Sequence, residues 1–221
     1  MLKKSGLDGI IFDIDGTIWD VRQVIADSWA EALTKLGMAV PFDAERLGQL
    51  FGKPMDEIFH TLYPDVSDAE MEQVIPVLYE YEHQALAEQK PAPYPGVAQV
   101  MAQLAAQYPL YIVTNGQKGY VEAMLGATGL TPYVQGWLCF GDTLSPKEVT
   151  ICRLMERYGL QQAVYVGDTQ GDADSCQAAG IPFIYAAYGL GQVAQPVHTI
   201  QDIRQLPDVL LRMEQDAAAC L

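Results

Sequence analysis

Two aspartates one residue apart, Asp13 and Asp15, follow the apolar run Ile10-Ile11-Phe12 and precede Gly16-Thr17. On an extended chain alternate side chains share a face, so carboxylates so spaced at a strand end are aimed at one site. Held that close, they repel each other unless a cation or a proton lies between them. This is equipment for nucleophilic or acid–base chemistry and for holding a metal, although an aspartate-rich turn would show the same letters. Three further polar groups end apolar runs or follow them closely. Tyr111-Ile112-Val113 leads into Thr114-Asn115-Gly116, Ser145-Pro146-Lys147 supplies a single cation, and Val164-Tyr165-Val166 leads into Gly167-Asp168 and then Asp172. Taken singly, Asp168 and Asp172 read as acids at a helix N-terminus, Thr114 and Asn115 as turn formers, and Lys147 as a solvated first-turn residue. Gathered at one sheet edge, they would surround one pocket with acids, a hydroxyl and a lysine.

The elements that must gather them can be read from periodicity. After the first strand the pattern turns helical: Val24, Ile25, Trp29, Ala32, Leu33 and Leu36 recur at three- and four-residue spacing, and Gly37 ends the run. A short helix is expected over Arg46 to Phe51, with Pro54 opening the next. Ser67 and Glu70 have capping-box spacing before a helix reaching about Gln89, which Pro76 should kink or break. Pro91-Ala92-Pro93-Tyr94-Pro95-Gly96 reads as a stiff linker. Beyond it strands are expected at Leu110 to Thr114, Trp137 to Phe140, Ala163 to Val166 and Pro182 to Ala186. Helices are expected at Val97 to Gln107, Gly119 to Leu125, Pro146 to Tyr158 and Asp172 to Ala179. Strand–helix alternation predicts an α/β class, a Rossmann-like parallel sheet core with helices on both faces. The helical stretch is then an inserted small all-α cap domain, which assigns residues 1–18 and 93–221 to the catalytic core and 19–92 to the cap.

Composition narrows the partners. With 13 Lys and Arg against 28 Asp and Glu, the net charge of −15 offers no basic face for a nucleic-acid backbone. A small phosphate could still be held locally by a metal or by backbone amides. Lys3 and Lys4 precede an apolar run too short for a membrane span or a secretory signal. Cys139, Cys152, Cys176 and Cys220 form no CxxC pair, and a reduced, cytoplasmic protein is the expectation.

All of these motifs, in this order, closely resemble those of the haloacid dehalogenase-like hydrolase superfamily. Asp13-Ile14-Asp15-Gly16-Thr17 resembles its first motif, Thr114-Asn115 its second, Lys147 its third, and Gly167-Asp168 through Asp172 its fourth; the insertion resembles the helical type-one cap. The resemblance implies a phosphatase in which Asp13 attacks phosphorus to form an aspartyl-phosphate. Asp15 would protonate the leaving oxygen and then activate water. Thr114, Asn115 and Gly116 would bind the phosphoryl group, and Lys147 would offset its charge. Mg²⁺ is the implied cofactor, held by Asp13, the Asp15 backbone carbonyl and Asp168, with Asp172 behind them.

Asp15 itself selects among members. A halide needs no protonation and phosphonate-cleaving members carry a small residue there, so Asp15 favours phosphate esters or anhydrides. Lys53, in Gly52-Lys53-Pro54, is a substrate-reading candidate, since phosphoglycolate and pyrophosphate phosphatases of this type carry a similar glycine–proline segment. Lys147-Glu148 departs from the family's usual Lys-Pro. The implied function is hydrolysis of a small phosphorylated metabolite, as in phosphoglycolate phosphatase-like members. Pyrophosphatase or sugar phosphomutase activity on the same scaffold is the enzymatic alternative. A receiver-like phospho-acceptor or an idle binding protein is the non-enzymatic one. Trp19 is expected to pack under the cap, and Tyr79 and Tyr81 to pack along its long helix. Gly189-Leu190-Gly191 sits too near the C-terminus to be a dinucleotide fingerprint.

Overall fold

Six parallel strands form one sheet: β1 (Gly9–Phe12), β2 (Leu110–Thr114), β3 (Val134–Cys139), β4 (Ala163–Gly167), β5 (Phe183–Ala186) and β6 (His198–Ile200). They lie side by side as β3-β2-β1-β4-β5-β6 in a computed structural model that describes residues 6–219. Lys3, Lys4 and Cys220 fall outside those residues. Every residue of β1, β2 and β4 is buried, which is why these strands read as unbroken apolar runs. Alternation divides them between two cores: Ile10, Phe12, Ile112, Val164 and Val166 on one face, Ile11, Tyr111, Val113 and Tyr165 on the other. Chain order reverses between β1 and β4, so their carboxyl ends flank the crevice where such sheets bind ligands.

Between β1 and the rest of the sheet lie four helices, α1 (Arg22–Lys35), α2 (Ala44–Gly48), α3 (Met55–Leu62) and α4 (Asp68–Gln89). α1 packs along α4, and the Trp29 indole N–H donates to Glu82 across that contact at 2.9 Å. The Ser67–Glu70 capping box forms as expected. The remaining helices are α5 (Val97–Ala105), α6 (Tyr120–Thr128), α7 (Phe140–Thr143), α8 (Lys147–Tyr158), α9 (Gln170–Ala179) and α10 (Leu206–Ala219). No helix among the described residues is long and apolar enough to cross a membrane. Cys139, Cys152 and Cys176 are free thiols.

Several elements differ from expectation. β1 ends at Phe12, because the Ile14 carbonyl accepts from the Thr17 and Ile18 amides and turns the chain there. Asp13 and Asp15 therefore sit just past the strand rather than on it. α4 runs unbroken through Pro76; its packing on α1 outweighs the one backbone donor that proline removes. α2 starts earlier than expected and ends at Gly48, its first turn capped by the Asp43 carboxylate at 2.8 Å from the Arg46 amide. β6 and α10 were not among the expected elements. Three residues carry too short a pattern to read, and the spacing of Leu206, Val209, Leu210 and Met213 is the only sign of α10.

Candidate active site

Four segments bring their polar residues to the carboxyl edge of the sheet. Asp13 leaves β1 still attached to the ladder, its amide donating to the Val166 carbonyl at 2.9 Å. Thr114 is the last residue of β2, Asp168 follows β4, and Lys147 opens α8. Asp13, Asp168, Asp172, Thr114 and Lys147 are all buried.

Lys147 lies between two carboxylates, its ammonium 3.0 Å from Asp13 Oδ1 and 2.6 Å from Asp172 Oδ1. Burial alone would lower its pKa, but the two carboxylates more than reverse that and hold it above its ordinary value. Asp172 is fully committed: Oδ2 accepts from the Thr169 amide at 3.1 Å and the Thr169 hydroxyl at 2.7 Å, capping α9. Asp13 differs. Its Oδ1 is fixed by Lys147, while no donor among the described residues reaches Oδ2. Burial raises the Asp13 pKa well above the carboxylate range; Lys147 opposes this, and Asp172, Asp168 and Asp15 add to it.

Asp168 shows the same tension. Oδ2 accepts from the amides of Leu190 at 2.7 Å and Gly191 at 3.0 Å, yet Oδ1 is buried with no partner. Burial, then the Asp172 charge, pushes its pKa up to about 6. One carboxylate oxygen from each of Asp13, Asp168 and Asp172 falls within 4.8 Å of the others. An orphaned acceptor inside a cluster of buried acids fits a hard divalent cation, which would both satisfy the oxygen and relieve the repulsion. The Asp15 carboxylate is not part of that trio.

Asp15 instead faces the helical side. Tyr120 donates to its Oδ1 at 2.6 Å and the Trp19 indole at 3.0 Å. Burial raises its pKa to about 6 against the pull of those two donors. Trp19 thus packs, as expected, and also holds an acid. Asp13, Asp15, Thr114, Asn115 and Gly116 line one cleft together with Lys53, which comes from the loop before α3. Counted out into the open solvent at its mouth, the atom-free space between these residues is about 510 Å³. The Asn115 amide, read from sequence as a phosphate ligand, here donates to the Gly52 carbonyl at 2.6 Å and ties that loop to β2.

Some participants had no motif to announce them. Trp19, Tyr120, Glu82 and Gln117 are ordinary letters until the fold assembles them. The Gly189-Leu190-Gly191 loop did carry a signal. A Cβ at Gly189 would lie 2.4 Å from Asp168 Cβ and from the Gly16 carbonyl oxygen. Those glycines let backbone amides approach an acid, not a dinucleotide. Gly16, at φ +79°, is held to the same limit: a Cβ there would lie 2.1 Å from Asp168 Oδ2.

Known proteins resemble this chain in sequence and in fold. Residues 10–186 match a family model described as haloacid dehalogenase-like hydrolase. A phosphoglycolate phosphatase of Yersinia pestis is 26% identical over 197 residues, covering 86% of this chain and 84% of that protein. One from Mesorhizobium japonicum is 29% identical over 189 residues, covering 81% and 82%. Among solved structures, a predicted phosphoglycolate phosphatase from Haemophilus somnus superposes with a TM-score of 0.81 at 21% identity, covering 94% of this chain and 99% of that one. At that identity the structural likeness speaks for the fold alone.

Proposed function

The chain belongs to the haloacid dehalogenase-like hydrolase family, and from that premise we propose that it is a Mg²⁺-dependent phosphatase acting on a small phosphorylated metabolite. The observation that carries this reading is the asymmetry of Asp13: one oxygen is pinned by Lys147 and the other is free in the cleft. That is the posture of a nucleophile held for in-line attack. Asp13 Oδ2 bonds to phosphorus as the ester P–O bond breaks, giving an aspartyl-phosphate. Asp15, held by Tyr120 and Trp19, donates its proton to the departing oxygen. It then takes a proton from water, whose oxygen attacks phosphorus, releasing phosphate and restoring the Asp13 carboxylate. Thr114 and the Gly116 amide border the place where the phosphoryl oxygens would lie, and Lys147 neutralises charge next to it. Asp13, Asp168 and Asp172 are the candidate side chains around Mg²⁺, which when bound would neutralise phosphoryl charge; Asp172, already committed to Lys147 and Thr169, would stand behind the other two.

Residues 19–92 would act as a cap over this site, with crossings near Thr17 to Asp20 and Lys90 to Tyr94. The Asn115–Gly52 bond is a contact that such a cap would break on opening. The test is phosphate release from a panel of small phosphates with Mg²⁺ or with chelator, using Asp13→Asn as control. Release that needs Mg²⁺ and vanishes in the variant supports the reading. Release that survives chelation or Asp13→Asn refutes it.

A further inference from the structure

Glu82 is a buried acid with no task in the chemistry above. It lies on α4, 3% exposed, and lines the same cleft as Asp13 and Asp15. Trp29 donates to one of its oxygens at 2.9 Å and the Gln117 amide to the other at 2.7 Å. Each oxygen keeps a second lone pair for another donor. The walls beside it, Ile25, Met55, Ile58 and Tyr79, are mostly apolar.

A glutamine at this position could make the same two contacts once the Gln117 amide turned over. It would do so without placing an acid in an apolar pocket near Asp15, whose charge already disfavours ionised Glu82. A group that costs stability and faces a ligand cleft is better explained by the ligand than by the fold. Lys53, exposed at the rim, is the single cationic side chain among the cleft's lining residues. The part of the substrate beyond the phosphoryl group therefore meets an acceptor set among apolar walls.

Resting on the phosphatase reading, we propose that Glu82 selects the leaving group, accepting a hydrogen bond from a hydroxyl or ammonium on the ester's carbon skeleton and rejecting esters that carry a carboxylate there. A donor satisfies a free lone pair of Glu82. A second carboxylate must instead face a like charge among mostly apolar walls or force a proton onto one of the two acids. Sites built around a hydrogen bond discriminate strongly, because the wrong ligand leaves a buried polar group unpaired. Polyol and amino-alcohol phosphates are then the substrate class, and phosphoglycolate is a poor substrate, in contrast to the names of the related enzymes.

The experiment is phosphate release at pH 8 with Mg²⁺ from glycerol 3-phosphate, glucose 6-phosphate, phosphoethanolamine, phosphoglycolate and p-nitrophenyl phosphate. It compares wild type, Glu82→Gln and Glu82→Asp. Wild type should favour the best hydroxyl- or amine-bearing ester over phosphoglycolate by about 100-fold in kcat/KM. Glu82→Gln should reduce that ratio at least tenfold, chiefly through KM. Glu82→Asp, which withdraws the acid but keeps its charge, should weaken the preferred ester while still rejecting phosphoglycolate, an outcome no purely structural role produces. Phosphoglycolate as the best wild-type substrate, or an unchanged ratio in Glu82→Gln, overturns this proposal alone. No Mg²⁺-dependent release from any compound, p-nitrophenyl phosphate included, overturns the phosphatase reading and this proposal with it.

Discussion

Replacing Glu82 by glutamine should make the protein more stable at alkaline pH and leave it nearly unchanged in mild acid. Burial lifts the Glu82 pKa from its ordinary 4.5 to about 7, against the hydrogen bonds from Gln117 and Trp29 and with help from the Asp15 charge. The groups facing it are Trp29 from α1, Tyr120 from α6, Gln117 from the preceding loop, Tyr79 on its own helix, and Asp15, the one carboxylate. Burial lowers the pKa of His83, close to Gln117, against the opposing charge of Glu122. A folded-state pKa raised above the unfolded one means that the native protein binds the proton more tightly. The stability due to Glu82 is therefore fully present below about pH 4.5 and is lost as pH rises through about 7. At 1.36 kcal/mol per pH unit the whole interval is worth roughly 3 kcal/mol. The amide introduced by Glu82→Gln has no proton to lose, so the difference in unfolding free energy between variant and wild type should grow by roughly 2.5 kcal/mol between pH 5 and pH 8. Urea unfolding of both proteins in chelator at the two pH values measures it. Other titrating groups are common to both chains and largely cancel. A difference that stays flat with pH to within about 0.5 kcal/mol would refute the argument that burial governs this carboxyl.

Other perturbations test the catalytic assembly. Gly189→Ala would drive a methyl group against Asp168 and the Gly16 carbonyl; the Mg²⁺ concentration for half-maximal phosphate release should rise about 10- to 100-fold, and an unchanged Mg²⁺ titration would remove the loop from the metal site. Tyr120→Phe and Trp19→Phe each take a donor from Asp15 Oδ1. Each should lower kcat for alkyl phosphates about tenfold or more and lower it less for p-nitrophenyl phosphate, whose leaving group needs little protonation. Equal losses on both substrates would mean that neither residue acts through Asp15. Lys147→Met leaves Asp13 and Asp172 buried without their shared cation; urea unfolding at pH 7 should show a loss of about 3–5 kcal/mol, and phosphate release should fall to background.

The sheet was legible because its central strands are covered on both faces and leave unbroken apolar runs: Leu110 to Thr114 and Ala163 to Gly167 stand almost where the letters put them. Its last strand was not, since three residues give periodicity nothing to act on. Pro76 misled for a related reason. Local rules price a proline by the hydrogen bond it removes, whereas α4 is held by its length along α1. Local rules did succeed at Ser67 and Glu70, where the capping interaction is itself local.

At the site the same division holds with a chemical twist. Asp13, Thr114, Lys147 and Asp168 could be named because each sits at the end of an element, where the turn and the chemistry leave a joint trace. Asp15 could be named but its surroundings could not: its two donors come from Trp19 and from Tyr120, a residue 105 positions away. Glu82 had neither trace. It sits mid-helix, in a charge-rich run where most acids are solvated, and only the packing of α4 beside the cleft makes it a buried acid. Residues that perform a reaction common to many proteins are tied to shared turns and so to readable spacing. Glu82, proposed to choose among substrates, lies where α4 faces the cleft, and its meaning appears only when burial is known.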